Sequence, residues 1–290
     1  MKPYIEICGG GDEKPINTGF KDQCLETPLN IPVLSNGFKF ASVEEFKDPA
    51  IWRAAIANKD LVPLFPIYEL TDASTEDTLF ESGNFSKVTA AGVEKLTGEM
   101  YLSACAYNAV KSYEKGIYTE MFEYNKGSDY SGMYNSDGVR VQGRKITSLK
   151  AKRTRATGAK VPFVSMEITF ASREDIRKVV LVESDLSEED LEGIFDVTLV
   201  QVSASATEIK FKALAGCAGG ITIDSLKTAE VQVLDLTDAV VSATFVQADS
   251  QGIYVLTGTG FATGYKVRLV DVVTQTDIML ESPDPLVITI

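Results

Sequence analysis

From Phe195 onward the chain is built of short segments in which apolar and polar residues alternate: Val197–Val202, Glu208–Lys212, Gly220–Ile223, Ala229–Leu234, Val240–Val246, Ile253–Thr257, Tyr265–Val270, Thr276–Leu280 and Pro285–Ile290. They recur every 8 to 13 residues, with Gly, Asp or Ser between them. Successive side chains of a strand point to opposite faces, so period-two alternation in pieces this short predicts half-buried strands and leaves no room for a helix. Closely spaced strands with turn residues between them predict an all-β sandwich over residues 196–290.

The preceding residues are more mixed and predict an α+β arrangement, so the expected fold class is mainly β. Residues 1–60 read as an N-terminal arm with a short helix, and residues 61–195 as a β domain, a barrel or sandwich with a flanking helix. Met1–Phe40 is rich in Gly, Pro and Asn and shows little periodicity. Ser42-Val-Glu-Glu45 has capping-box spacing, and Pro49–Ala57 predicts a helix opened by proline and stopped at Asn58. Trp52, the only tryptophan, is expected as a core or interface anchor. Pro63 and Pro66 remove ladder donors from Leu61–Leu70, which predicts an edge strand or an extended connector. Thr71–Thr78 reads as a polar loop, Lys87–Val93 and Gly98–Ala104 as strands, and Tyr107–Lys115 as a helix ending at Gly116.

Gly116–Phe170 then predicts a strand over Ile117–Tyr124, a turn through Asn125–Gly132, and a tight turn at Asn135-Ser-Asp-Gly138 leading into Val139–Gln142. A basic loop over Lys150–Gly158 and a closing strand over Pro162–Phe170 complete it. Gly138–Met166 holds eight of the 28 Lys/Arg and none of the 41 Asp/Glu. A very acidic body with one cationic stretch reads as a contact surface, and Lys150, Lys152, Arg153 and Arg155 are its candidate subunit-interface residues. Three readings of these four residues stand side by side: a solvated loop kept soluble by charge, contact with DNA, and contact with a neighbouring subunit.

Several function classes fall away. With no histidine in the chain, Ser-His-Asp and Cys-His catalysis are excluded and the commonest general base near neutral pH is missing. Cys8, Cys24, Cys105 and Cys217 lie far apart without a C-x-x-C pair, which predicts isolated thiols and no zinc site. Gly9-Gly10-Gly11 is not followed by the Lys-Ser/Thr of a phosphate-cradling loop. The acidic run Asp185, Glu188, Glu189, Asp190 and Glu192 reads as turn capping, and Asn135–Gly138 matches only a fragment of a calcium loop. The expectation is therefore no catalytic, metal or cofactor site and no enzyme. A carbohydrate-acting enzyme using paired carboxylates is disfavoured because the acids lie in polar loops. A net charge of −13 disfavours general binding to nucleic acid or anionic membranes. The N-terminus lacks the apolar stretch of a signal peptide and no run is long enough to span a bilayer, so assembly in a cytoplasm is expected.

Two resemblances add to this. Leu256-Thr-Gly258-Thr-Gly260-Phe261 followed by Val267-Arg-Leu resembles the glycine-phenylalanine turn of IPT/TIG immunoglobulin-like domains. The order of features over residues 60–195, a strand-helix-strand passage, a long hairpin with an Asp-Gly turn, a charged loop and a closing strand at Phe170, resembles phage tail-tube (major tail) proteins with an appended immunoglobulin-like domain. That family implies a virion structural protein assembled in the bacterial host cytoplasm. Its homo-hexameric rings stack with other tail proteins into a tube, DNA passes without specific binding, and the immunoglobulin-like domain faces outward. The alternative is a capsid-decoration or baseplate component whose terminal domain binds a partner or glycan.

Overall fold

The computed structural model describes residues 5–6, 28–82, 85–126, 129–158, 161–173, 178–183, 186–216, 220–272, 275 and 278–290. The fold is mainly β, with three short α-helices among the described residues. The chain divides into two compact units, Met1–Leu191 and Glu192–Ile290.

The first unit runs β1 (Ile5–Glu6), β2 (Leu29–Ser35), β3 (Lys39–Phe40), α1 (Val43–Lys47), α2 (Pro49–Ala57), β4 (Leu61–Pro63), β5 (Tyr68–Asp72), β6 (Thr78–Ser82), β7 (Phe85–Ala90), β8 (Lys95–Met100), α3 (Ala104–Ser112), β9 (Glu120–Asn125), β10 (Asp129–Tyr134), β11 (Val141–Gln142), β12 (Arg144–Thr154), β13 (Phe163–Phe170) and β14 (Val179–Glu183). β9 is the central strand. β2 pairs along one edge of it, while the other edge is shared between β10 and the first two residues of β12. At Ile146 the eleven-residue β12 leaves β9 and pairs with β13, which continues to β8 and the edge strand β5. Gly143 makes that crossing possible, since a Cβ there would lie 2.9 Å from Met121 N and 3.0 Å from Glu120 Cβ.

Both faces of β9 are buried. Met121 joins Leu34, Ile67, Met100, Val110, Leu149, Val164, Met166 and Ile168 in an aliphatic core. On the other face Phe122 meets Phe40, Phe46 and Trp52, and Tyr130 packs on Phe46 and Trp52, with ring centroids 4.9 to 5.7 Å apart. Trp52 donates its indole N–H to Phe46 O at 2.7 Å, which meets the one polar requirement of a ring buried to 1 % exposure.

The helices follow their local signals. Ser42 Oγ accepts from Glu45 N, although Glu45 reaches back to Ala41 N and not to the cap itself. Asp48 caps α2 through Ala50 N, Pro49 occupies the first turn, and Asn58 ends the helix. α3 starts three residues earlier than its apolar spacing predicts, because Ser103 Oγ caps Ala106 N, and Gly116 stops the following turn at φ 74°.

Three expectations are corrected. Leu29–Ser35, read as part of the arm, is a wholly buried strand, because β4 and β9 cover its edges and cores cover its faces. Asp129–Gly132, read as a turn, lies in β10. Cys105 is disulfide-bonded, with a partner outside the described residues, so it is not an isolated thiol. Gly9–Gly11, Cys8, Cys24, Asp185 and Cys217 also lie outside them.

The second unit holds β15 (Phe195–Ala204), β16 (Glu208–Ala215), β17 (Ile221–Ile223), β18 (Val231–Leu234), β19 (Val240–Val241), β20 (Thr244–Val246), β21 (Tyr254–Thr257), β22 (Lys266–Leu269), β23 (Leu280–Glu281) and β24 (Leu286–Val287). One sheet runs β20-β21-β16-β15-β23, with β17 also on β16, and the other runs β19-β18-β22-β24. Val197, Leu199, Ile209, Phe211, Tyr254, Val233, Val267 and Ile288 form its core. The glycine-phenylalanine turn has a steric basis: Gly260 adopts φ 78°, and a Cβ on Gly258 would sit 2.6 Å from the Phe261 ring. The Gln201 side chain bonds both Thr289 N (3.0 Å) and Thr289 O (2.6 Å), tying the C-terminal residues to β15.

Candidate assembly surface

The cationic stretch is mostly strand, not loop. Lys150, Lys152 and Arg153 lie in β12, and only Arg155 and the residues to Gly158 lie beyond it. Ala151 faces the core between them, so Lys150 and Lys152 share the outer face of the β12-β13-β8-β5 sheet. Acids near and far offset much of the stretch's charge. Arg144, the most buried cation, grips Glu94 with both terminal nitrogens, donates to Ser172 O at 3.2 Å and lies 3.8 Å from the Phe170 ring centroid. Arg140 pairs with Asp137, whose carboxyl is held far below its ordinary range by the Val139 and Arg140 amides and then by the guanidinium. Glu167 stands 3.4 Å from Lys150 and 3.3 Å from Lys95. Burial pulls its pKa upward, but the two ammonium groups outweigh that and hold it below the usual carboxylate range. Asp137 and Glu167 are the residues immediately flanking the acid-free window, which is why counting inside the window overstates the field. Lys152, Arg153 and Arg155 remain exposed, with no ion-pair partner among the described residues.

The free edge of β12 is closed at one point. Ala151 N donates to Glu114 Oε1 at 2.7 Å, and Lys111 Nζ lies 3.5 Å from Ala151 O. The Ala151 amide and then the Lys111 ammonium lower the Glu114 pKa.

A second exposed element escaped the sequence reading. β6 and β7 form a two-stranded hairpin that pairs with no other strand among the described residues, and every residue of both strands is exposed. Leu79 opposes Val88, while Phe80 opposes Lys87 and Phe85 opposes Ser82, so apolar groups stand on both faces. Leu79, Phe80, Phe85 and Val88 are 48 to 57 % exposed. The signal was present: Gly83-Asn84 is a two-residue hairpin dipeptide between alternating segments. Reading Lys87–Val93 alone as a strand and Thr71–Thr78 alone as a loop left the two halves unpaired.

The acidic run at 185–192 caps turns where it is described. Asp190 Oδ2 accepts from Ser187 N and Oγ, both at 2.8 Å, and Glu188 accepts from Asn30 Nδ2. Among the described residues no three Cys, Asp or Glu side chains gather as a metal site, and no helix is long and apolar enough to cross a membrane. No protein-family model and no curated protein matches the chain.

Proposed function

We propose that this chain is a self-assembling structural subunit, with the tail tube of a phage virion as the assembly that its sequence organisation favours. The β6–β7 hairpin carries the reading. A two-stranded ribbon is marginal in water, and this one pairs with no other strand among the described residues and leaves every residue of both strands exposed. Phe80 and Phe85 share one face and Leu79 and Val88 the other; the two half-exposed rings present roughly 200 Å² on theirs, well below the ~800 Å² per partner of a stable interface. The hairpin is therefore one part of a larger contact, as expected for a subunit that touches several neighbours. A head-to-tail contact of this kind closes into rings when its rotation permits.

The test compares the wild type with Phe80→Ser/Phe85→Ser by sedimentation velocity and negative-stain electron microscopy over a range of concentrations. Both side chains are solvent-exposed, so the substitution leaves the unit folded. Rings or tubes in the wild type that are lost in the variant support the proposal. A monomeric wild type at every concentration overturns it.

A further inference from the structure

We propose that the β6–β7 hairpin stacks on the same hairpin of a second copy of this chain, the face of Phe80, Phe85 and Lys87 against the face of Leu79, Val88 and Glu81. This inference rests on the self-assembly reading and names its contact. Register fixes the two faces. Phe80 stands opposite Lys87 and Ser82 opposite Phe85, so these four project to one side, while Leu79 opposite Val88 and Glu81 opposite Ser86 project to the other. All of them are exposed. Each face thus joins two large apolar side chains to one charge, positive on the aromatic face and negative on the aliphatic face.

The ribbon grows from a tied-down base. Ala73 N donates to Lys95 O at 2.8 Å and Thr75 N to Val93 O at 2.9 Å, which carries the pairing of β5 with β8 on towards the hairpin. Asp77 accepts from Gly92 N at 2.7 Å and pairs with Arg173 at 2.9 Å. The two segments approach so closely there that a Cβ on Gly92 would lie 2.0 Å from Thr75 O. Beyond this base neither Lys87 nor Glu81 has an ion-pair partner among the described residues. Charge then selects which faces meet. Two aromatic faces brought together would set Lys87 against Lys87, and two aliphatic faces Glu81 against Glu81, whereas aromatic on aliphatic sets Lys87 against Glu81. Stacked sheets lie ~10 Å apart, a gap that a lysine and a glutamate side chain reaching from opposite sides can close. The same stacking takes Phe80 and Phe85 of one copy, and Leu79 and Val88 of the next, out of water. Because the two faces differ, the contact is heterologous: each copy gives one face and receives on the other. One such face is too small to hold two copies alone, so the stack orients neighbours that other surfaces also join.

The experiment uses the full chain, with near-UV circular dichroism and Trp52 fluorescence confirming that each variant is folded. Sedimentation velocity over a concentration series reads the concentration of half-association. Lys87→Glu makes both faces negative and Glu81→Lys makes both positive. Each is expected to raise that concentration by roughly three- to tenfold, since an exposed attraction is lost and a repulsion of similar size replaces it. Lys87→Glu/Glu81→Lys in one chain exchanges the two charges, keeps the faces complementary, and is expected to associate near the wild-type concentration. Single variants that associate like the wild type, or a double exchange as weak as the singles, would overturn the stacking while leaving self-assembly intact. A wild type that never associates overturns both.

Discussion

Gly98 lies mid-strand in β8, between β13 and β5, and a methyl group placed on it would stand 2.2 Å from Ile67 Cγ2 and 3.6 Å from Leu70 Cδ1. Ordinary carbon contacts begin near 3.5 Å. Cγ2 hangs directly from the Cβ of a β-branched residue that is 1 % exposed, so relief needs a rotamer change or a shift of the Ile67 backbone. Gly98→Ala should gain about 0.5–1 kcal/mol from a less flexible unfolded chain and lose about 1–3 kcal/mol to overpacking. The expected net destabilisation is up to about 2.5 kcal/mol. Trp52 provides a specific probe, because the chain's only tryptophan is buried in the first unit, and its fluorescence in urea reports that unit alone. Ile67→Ala removes the clashing methyl, so Gly98→Ala made in that background should be neutral or stabilising. The reasoning is refuted if Gly98→Ala stabilises the native background, or if its cost is unchanged when Ile67 is already alanine.

Further outcomes follow from other sites. Glu120 is 6 % exposed, its Oε2 has no hydrogen-bond partner, and burial raises its pKa against the opposing pull of Lys39 and Lys145. A raised folded-state pKa gives stability that is full below about 4.5 and is lost as pH rises through the folded value. Glu120→Gln should thus gain on the wild type as pH climbs from 4 to 8 in urea titrations followed by Trp52, and a gap that does not change with pH would count against the burial argument. Tyr254 donates to Ile223 O at 2.9 Å and accepts from Leu226 N at 3.0 Å. Tyr254→Phe should cost the second unit about 1–3 kcal/mol by leaving the buried Leu226 amide unbonded, read as faster native-state hydrogen exchange along β21. Asp249 accepts from the Ile253 and Gln251 amides, which lower its pKa, so its contribution is present above about 3.8 and lost as pH falls below. Asp249→Ala should speed exchange at both amides at pH 6, by a margin that shrinks as pH falls below about 3.8.

Local chemistry was legible wherever one residue's side chain settles its own neighbourhood. The alternation of Phe163–Phe170 puts Val164, Met166, Ile168 and Phe170 inside because a strand's period is two, and the short alternating segments after Phe195 become the two sheets of the second unit for the same reason. Ser42, Asp48, Pro49 and Gly116 mark helix ends because cap hydrogen bonds and backbone preference act over a few residues. Non-local pairing was not legible. Nothing in Glu-Met-Phe-Glu-Tyr-Asn announces that β9 is covered on both faces, since the aromatic cluster and the aliphatic core that cover it come from elements far away in the chain. Counting charge located the cationic stretch, but only the fold brought Glu94 to Arg144 and left Lys152, Arg153 and Arg155 at the sheet's end. No spacing signals the disulfide at Cys105, because cross-links join residues that only the folded chain makes neighbours. Sequence by itself determined the helix caps and the alternation of strands such as Phe163–Phe170, whose energies are local, but not the strands Leu29–Ser35 and Asp129–Tyr134 or the β6–β7 hairpin. The tertiary structure decided which faces were buried and which charges and apolar groups were left for another molecule, because burial depends on what the rest of the chain brings alongside.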